Sequence, residues 1–153
     1  MRYLLLLAFA AALLSGCRRN TQEVYLLPEG YIGRVVVYLQ QQHGQPVAFE
    51  GNARVFAVPD SGALHSQHYF DEYAPDPDDI FFYYVDKNGA RTRLKYRRPT
   101  GKNPGLDEDE IQVYDLRMDR KRRIYGQQYV VTAAHYTFVV DTYRNAGKYR
   151  QGS

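Results

Sequence analysis

The chain has 153 residues, of which 44% are apolar and 24% charged, and it carries a formal net charge of +3. That length holds one domain with a real core and not two comfortable ones, and so small a charge excess argues against a nucleic-acid partner. Fifteen tyrosines and seven phenylalanines, with no tryptophan, suit pleated and half-buried surfaces, so the expectation is an all-β domain.

The first seventeen residues stand apart from the rest. Arg2 supplies a small positive region, Leu4 to Leu13 is an uninterrupted apolar run, and Leu14-Ser15-Gly16 leads into Cys17. This is the order of a secretory signal peptide. The run is about half of the ~20 residues a membrane-spanning helix needs, so residues 1–16 are expected to be a signal helix of the precursor, removed on export. Cys17 is the only cysteine, which excludes an intramolecular disulfide and a cysteine-based zinc site. Residues 17–23 are expected to form a short linker, 24–143 a single domain, and 144–153 a flexible polar tail.

Within the domain, Val24 to Leu27 opens a strand that Pro28-Glu29-Gly30 ends. Gly33 to Leu39, apolar on both faces, reads as a central strand. Gln40 to Gln45 is a polar loop, Arg54 to Val58 a short strand stopped by Pro59-Asp60-Ser61-Gly62, and Ala63 to Tyr69 an extended segment. Ile80 to Val85 and Thr92 to Tyr96 flank Asn88-Gly89, the sequence of a two-residue type I′ hairpin turn. Ile111 to Met118 and Arg122 to Thr132 read as a second hairpin turning at Asp119-Arg120, and Tyr136 to Tyr143 closes the domain. Strands at this spacing predict a single antiparallel β-sandwich.

Two resemblances add to this reading. Leu14-Ser15-Gly16-Cys17 resembles the lipobox of bacterial lipoproteins, which implies a diacylated Cys17 as the mature N-terminus. Two acyl chains anchor a protein stably, and Arg18 and Arg19 beside them attract anionic headgroups. Arg18 stands where inner-membrane retention usually has Asp, which favours the outer membrane. No acidic run follows Cys17, which favours its periplasmic face, with the cell surface as the alternative. Leu26 to Tyr69 resembles an uncharacterised family of small bacterial lipoprotein and secreted domains. Its first motif falls on Pro28, Gly30, Tyr31 and Gly33, its second on Phe56, Val58, Pro59 and Gly62. The same rhythm is similar to transthyretin-like and carboxypeptidase-regulatory sandwich modules. These resemblances imply a class and a location, and no activity.

The chemistry-bearing residues are sparse in pattern. His65 and His68 would face opposite sides of a strand, while His43 and His135 lie elsewhere, so no metal set is expected. The acidic loops with Asp76, Asp78 and Asp79 and with Asp107, Glu108, Asp109 and Glu110 do not match a calcium loop. Ser61 and Ser66 lack a nucleophile elbow. No catalytic residue and no cofactor are expected. Arg91, Arg93, Lys95 and Arg97 alternate with Thr92, Leu94 and Tyr96, so one strand face is cationic. Arg117, Arg120, Lys121, Arg122 and Arg123 form a second basic run. The expected function is therefore a non-catalytic, lipid-anchored envelope module with a membrane or envelope-protein partner. The alternative is binding of an anionic glycan or lipid through the Arg91, Arg93, Lys95 and Arg97 face.

Overall fold

The computed structural model describes residues 22–70, 75–100 and 103–150; the expected signal peptide, Leu14, Ser15, Gly16 and Cys17 lie outside these residues. Among them nine strands are formed: β1 (Glu23–Pro28), β2 (Gly33–Tyr38), β3 (Ala48–Glu50), β4 (Ala53–Ala57), β5 (Ala63–His65), β6 (Ile80–Val85), β7 (Arg91–Tyr96), β8 (Ile111–Tyr125) and β9 (Gln128–Thr142). Two short 3-10 helices complete the fold: η1 (Pro77–Asp79) and η2 (Tyr143–Tyr149).

The strands join in one sheet of order β3-β4-β1-β6-β7-β8-β9-β2-β5. This corrects the antiparallel sandwich. The sheet is mixed, with β1 parallel to both β4 and β6, β2 parallel to β5, and β7 parallel to β8. Alternation of apolar and polar residues has the same two-residue period in both kinds of pairing, so it reports the buried face and not the partner's direction. The sheet also curls on itself. Gln45, just before β3, bridges Ser66, just after β5, although these strands are the two ends of the order. The Gln45 amide donates to His65 O at 2.7 Å, and the Gln67 amide donates to Gln45 O at 2.9 Å.

Alternation fills the inside of the curl. Tyr25 and Leu27 of β1, Val35 and Val37 of β2, Phe56 of β4, Phe82 of β6, Leu94 of β7, Val113 of β8, and Tyr136, Phe138 and Val140 of β9 share one core. Tyr25 stacks between Phe56 (4.9 Å between centroids) and Phe82 (5.0 Å), and meets the edge of Phe138 at 5.2 Å. Such pairs add about 0.5–1.5 kcal/mol each beyond their buried area. β2 is fully inward at Val35 and Val37, but it lies next to the end of the order and not at its centre.

The turns agree with the sequence expectation in place at one hairpin and depart from it at the other. β6 and β7 are joined through Asp86 to Ala90: the Gly89 amide donates to Asp86 O and the Asp86 amide to Ala90 O, both at 3.0 Å. Only Gly89, at φ +83°, is left-handed there, so the connection is a type I turn closed by a glycine bulge and not the type I′ turn expected. Gly89→Val should lower stability by about 1 kcal/mol or more from backbone strain alone, because open space surrounds the new side chain. An unchanged melting temperature would contradict this turn.

The second hairpin is much longer than expected. β8 runs through Asp119-Arg120 to Tyr125, and the chain reverses over Gly126-Gln127, with Gly126 at φ +61° as the first residue of a two-residue turn. Tyr136 to Tyr143 is therefore largely the second half of β9 and not a separate strand. From Arg120 to Ala133 the two strands pair only with each other among the described residues. Most of the expected flexible tail also has structure. η2 lays Ala146 and Tyr149, with Tyr143, over Tyr114 and Val139 on the outer face of β8 and β9.

Candidate functional site

The basic face forms where alternation places it. Arg91, Arg93 and Lys95 are exposed on β7, while Leu94 and Tyr96 turn toward the core. Each cation nevertheless has a local partner. Arg91 grips Glu50 through both terminal nitrogens, at 2.8 and 2.5 Å, which holds the Glu50 carboxyl below its ordinary range. Lys95 Nζ meets Glu110 at 2.5 Å and Gly105 O at 3.3 Å. The Arg93 guanidinium lies 4.9 Å from the centre of the Phe81 ring. Arg97, one residue beyond β7, donates from Nε to Gln112 Oε1 at 2.8 Å and stacks 4.2 Å over Tyr143.

The acidic loops supply much of this balance. Besides Glu110, Asp78 pairs with Arg98 and Asp109 with Arg144. Exposed pairs of this kind contribute about 0.2–1 kcal/mol each, so they orient the loops more than they hold the fold. In the second basic run Arg117 pairs with Asp115 at 2.7 Å, and Arg120 lies 5.7 Å from the Phe70 ring centre. The four histidines do not converge. His65 stacks on Tyr38 at 4.8 Å and His135 tilts against the same ring at 5.8 Å. His68 is buried, with Nε2 3.2 Å from Val55 O. Among the described residues no group of three or more potential ligands is placed to hold a metal ion.

The structure brings together a cluster that the sequence reading passed over. Glu23 of β1 and Arg54 of β4 are register partners, both buried, and their side chains form an ion pair inside the curl. Glu23 also accepts from the Tyr25 hydroxyl at 2.7 Å and from the Tyr136 hydroxyl at 3.4 Å. Arg54 Nη1 donates to Tyr69 O at 3.0 Å. Burial pushes the Glu23 carboxyl above its ordinary value, with Arg54 pulling the other way. Burial likewise raises Tyr25 and Tyr136, reinforced in both by the Glu23 charge. The same burial lowers His68, and the Arg54 charge adds to the effect. A signal for this cluster was present: Glu23 has the strand parity of Tyr25 and Leu27, and Arg54 that of Phe56 and Val58.

Every oxygen of Glu23 is thus committed to a donor that also belongs to the core. Chemically the cluster ties β1, β4 and β9 together and has no free base or nucleophile to offer. It opens toward a small cavity of about 190 Å³ lined by Val47, Phe49, Arg54, His68, Tyr69 and Phe70. Its rim is unusually apolar for a surface, with Val47 41%, Phe49 58% and Tyr69 77% exposed.

These features define a curled, mostly β domain with a buried Glu23–Arg54 pair inside and a basic strand face outside. The chain belongs to a family of unknown function (DUF6843), whose model matches residues 19–143. No curated protein matches it significantly. Among solved structures its fold is similar to that of a Bacillus anthracis protein whose crystal structure is provisionally described as a lipoprotein. That likeness has a TM-score of 0.51 at 17% identity, over 79% of this chain and 70% of the other. At that identity the likeness is one of fold.

Proposed function

We propose that this protein is a non-catalytic, lipid-anchored module of the cell envelope, tethered through Cys17 to the periplasmic face of the outer membrane. The observation that carries the reading is the pairing of a lipobox-like Leu14-Ser15-Gly16-Cys17 with a buried Glu23 carboxylate whose oxygens are taken up by Arg54, Tyr25 and Tyr136. A protein built this way works through its surface and its address. The lipoprotein description of the Bacillus anthracis structure is consistent with such an address. β1 begins at Glu23, six residues after Cys17. A linker of that length spans at most about 20 Å even when fully extended. The domain would therefore stand within reach of the headgroups and of other membrane-bound proteins.

Cys17→Ser removes the thiol that accepts the diacylglyceryl group. The variant should leave the membrane fraction and lose fatty-acid label; label that persists on the serine variant would refute the anchor. In intact cells the wild-type protein should resist added protease if it faces the periplasm, and digestion would place it on the cell surface.

A second reading has one observation in its favour. Among the described residues Arg93 has no carboxylate partner, and it borders a groove of about 650 Å³ together with Lys95 and Arg98. Through that face the domain would hold an anionic glycan or lipid. Binding to anionic vesicles that weakens with salt and is lost in Arg93→Glu/Lys95→Glu supports it, and binding indifferent to both removes it.

A further inference from the structure

Between the end of β7, the start of β8 and η2 lies a second cavity of about 320 Å³, which adjoins the first groove at Arg98 and Asn103. Four arginines line it, Arg97, Arg98, Arg117 and Arg150, against one acidic residue, Asp115. Arg98 and Arg117 already have carboxylate partners, Asp78 and Asp115. Arg97 does not, and its Nη2 is fully buried without a hydrogen bond. Tyr114, which also lines the cavity, is only 3% exposed, and its hydroxyl has no hydrogen-bond partner either. Buried donors without partners are rare in folded proteins. Of the three such atoms among the described residues, the third being Arg54 Nε, two belong to residues that line this cavity.

The backbone is arranged to produce this convergence. The register of β8 on β9 slips between Tyr114 and Arg117, and Asp115 sits there at φ +59°, a conformation that non-glycine residues seldom adopt. Before the slip Val113 faces the core and Tyr114 faces η2; after it Leu116 and Met118 pack on the core. One residue has been inserted. Strict alternation would put Tyr114 on the opposite face from Asp115 and Arg117, whereas the bulge lets all three line the same cavity. Bulges re-aim side chains in this way, and strained residues concentrate where a site is built. Asp141, held by Asn145 and Tyr149 at 2.9 and 2.8 Å, is the other carboxylate close enough to act on Tyr114.

We infer that this cavity is a binding site for a phosphate group, the unpartnered Arg97 Nη2 and Tyr114 hydroxyl serving as donors and Arg117 and Arg150 as flanking cations. Guanidinium forks match phosphate oxygens in geometry, and charge-assisted hydrogen bonds are the strong ones. The aromatic wall of Tyr114 and Tyr143, with ring centres 5.3 Å apart, and a volume well above that of one phosphate leave room for the alcohol of an ester. The inference is independent of the lipid anchor, and Arg91, Arg93 and Lys95 do not line this cavity, although it shares Arg98 and Asn103 with the groove beside them.

Titration calorimetry on the full-length protein in non-ionic detergent tests it, with glycerol 3-phosphate and inorganic phosphate as probes and glycerol as the neutral control. Both anions should bind and glycerol should not. An ester that binds more tightly assigns the pocket to a phosphorylated headgroup or sugar, and equal affinity assigns it to free phosphate. Arg150→Gln should weaken binding about tenfold, the size of one lost charge-assisted hydrogen bond. Tyr114→Phe removes an oxygen that bonds to nothing in the unliganded protein, so it should weaken binding while leaving the melting temperature unchanged or raised. Arg91→Gln should change neither. Absence of binding by both anions, or binding that survives Arg150→Gln and Tyr114→Phe undiminished, overturns the inference.

Discussion

Arg54→Met should lower stability by about 3–5 kcal/mol at neutral pH, the usual effect of removing one partner from a buried ion pair. Met nearly conserves the volume of the side chain, so the loss would come from Glu23 stranded as a carboxylate with 1% of its surface exposed. The sign of the pH dependence follows. Glu23 already has a folded-state pKa above its ordinary 4.5, because burial outweighs Arg54. A raised carboxyl contributes least to stability when ionised, so its contribution is full below 4.5 and is lost as pH rises through the folded value. Without Arg54 that loss deepens, and the variant should recover much of its stability on acidification toward pH 4.5. The double variant Glu23→Met/Arg54→Met should be close to wild type in stability, since an apolar replacement of a whole buried pair is often neutral or better. Urea denaturation of the three proteins at two pH values checks all of this. A single Arg54→Met variant as stable as wild type at neutral pH would mean the pair contributes nothing.

Val37→Asp should be the more severe change. Val37 is completely buried on β2, between Leu64 of β5 and Tyr136 of β9. A carboxylate placed there has no partner, and burying one costs several kcal/mol even after relaxation. Against a total stability of roughly 5–15 kcal/mol, the domain should be largely unfolded. Arg93→Glu/Lys95→Glu, on the exposed face of β7, should fold normally, losing only surface contacts, those of Lys95 with Glu110 and Gly105 O and of Arg93 with the Phe81 ring. Circular dichroism separates the outcomes. A folded Val37→Asp protein beside an unfolded double reversal would invert the inside and outside of the sheet.

How much of this was legible depends on which physical signal each element carries. β6 matches its expected bounds at both ends, because Ile80 to Val85 is a dense aromatic and β-branched run between turn residues. β3 has only three residues, all exposed, so it has no apolar face to announce it. η2 is too short to show a helical period. The turn of the long hairpin was misplaced because Arg117 to Arg123 is dense in charge, and charge density imitates a loop. The element that reverses the chain is instead Gly126, the residue able to adopt a positive φ without strain.

The sites divide in the same way. The parity of β7 was readable, so Arg91, Arg93 and Lys95 share a face as expected, but the carboxylates that meet Arg91 and Lys95 come from the end of β3 and the residue before β8, whose approach no local pattern encodes. The Glu23–Arg54 pair was half legible, since parity turns both residues inward while only the parallel β1–β4 pairing makes them neighbours. The Arg97 and Tyr114 cavity was not legible. It depends on a one-residue bulge that reverses the parity of β8 after Tyr114, and a single inserted residue leaves no trace in composition.

Intact-mass and N-terminal peptide spectrometry of the protein purified from its own membranes reads the Cys17 anchor itself. The mature chain should begin at Cys17 and carry a diacylglyceryl group on that sulfur. A chain that begins at any other residue, or an unmodified Cys17, would contradict it.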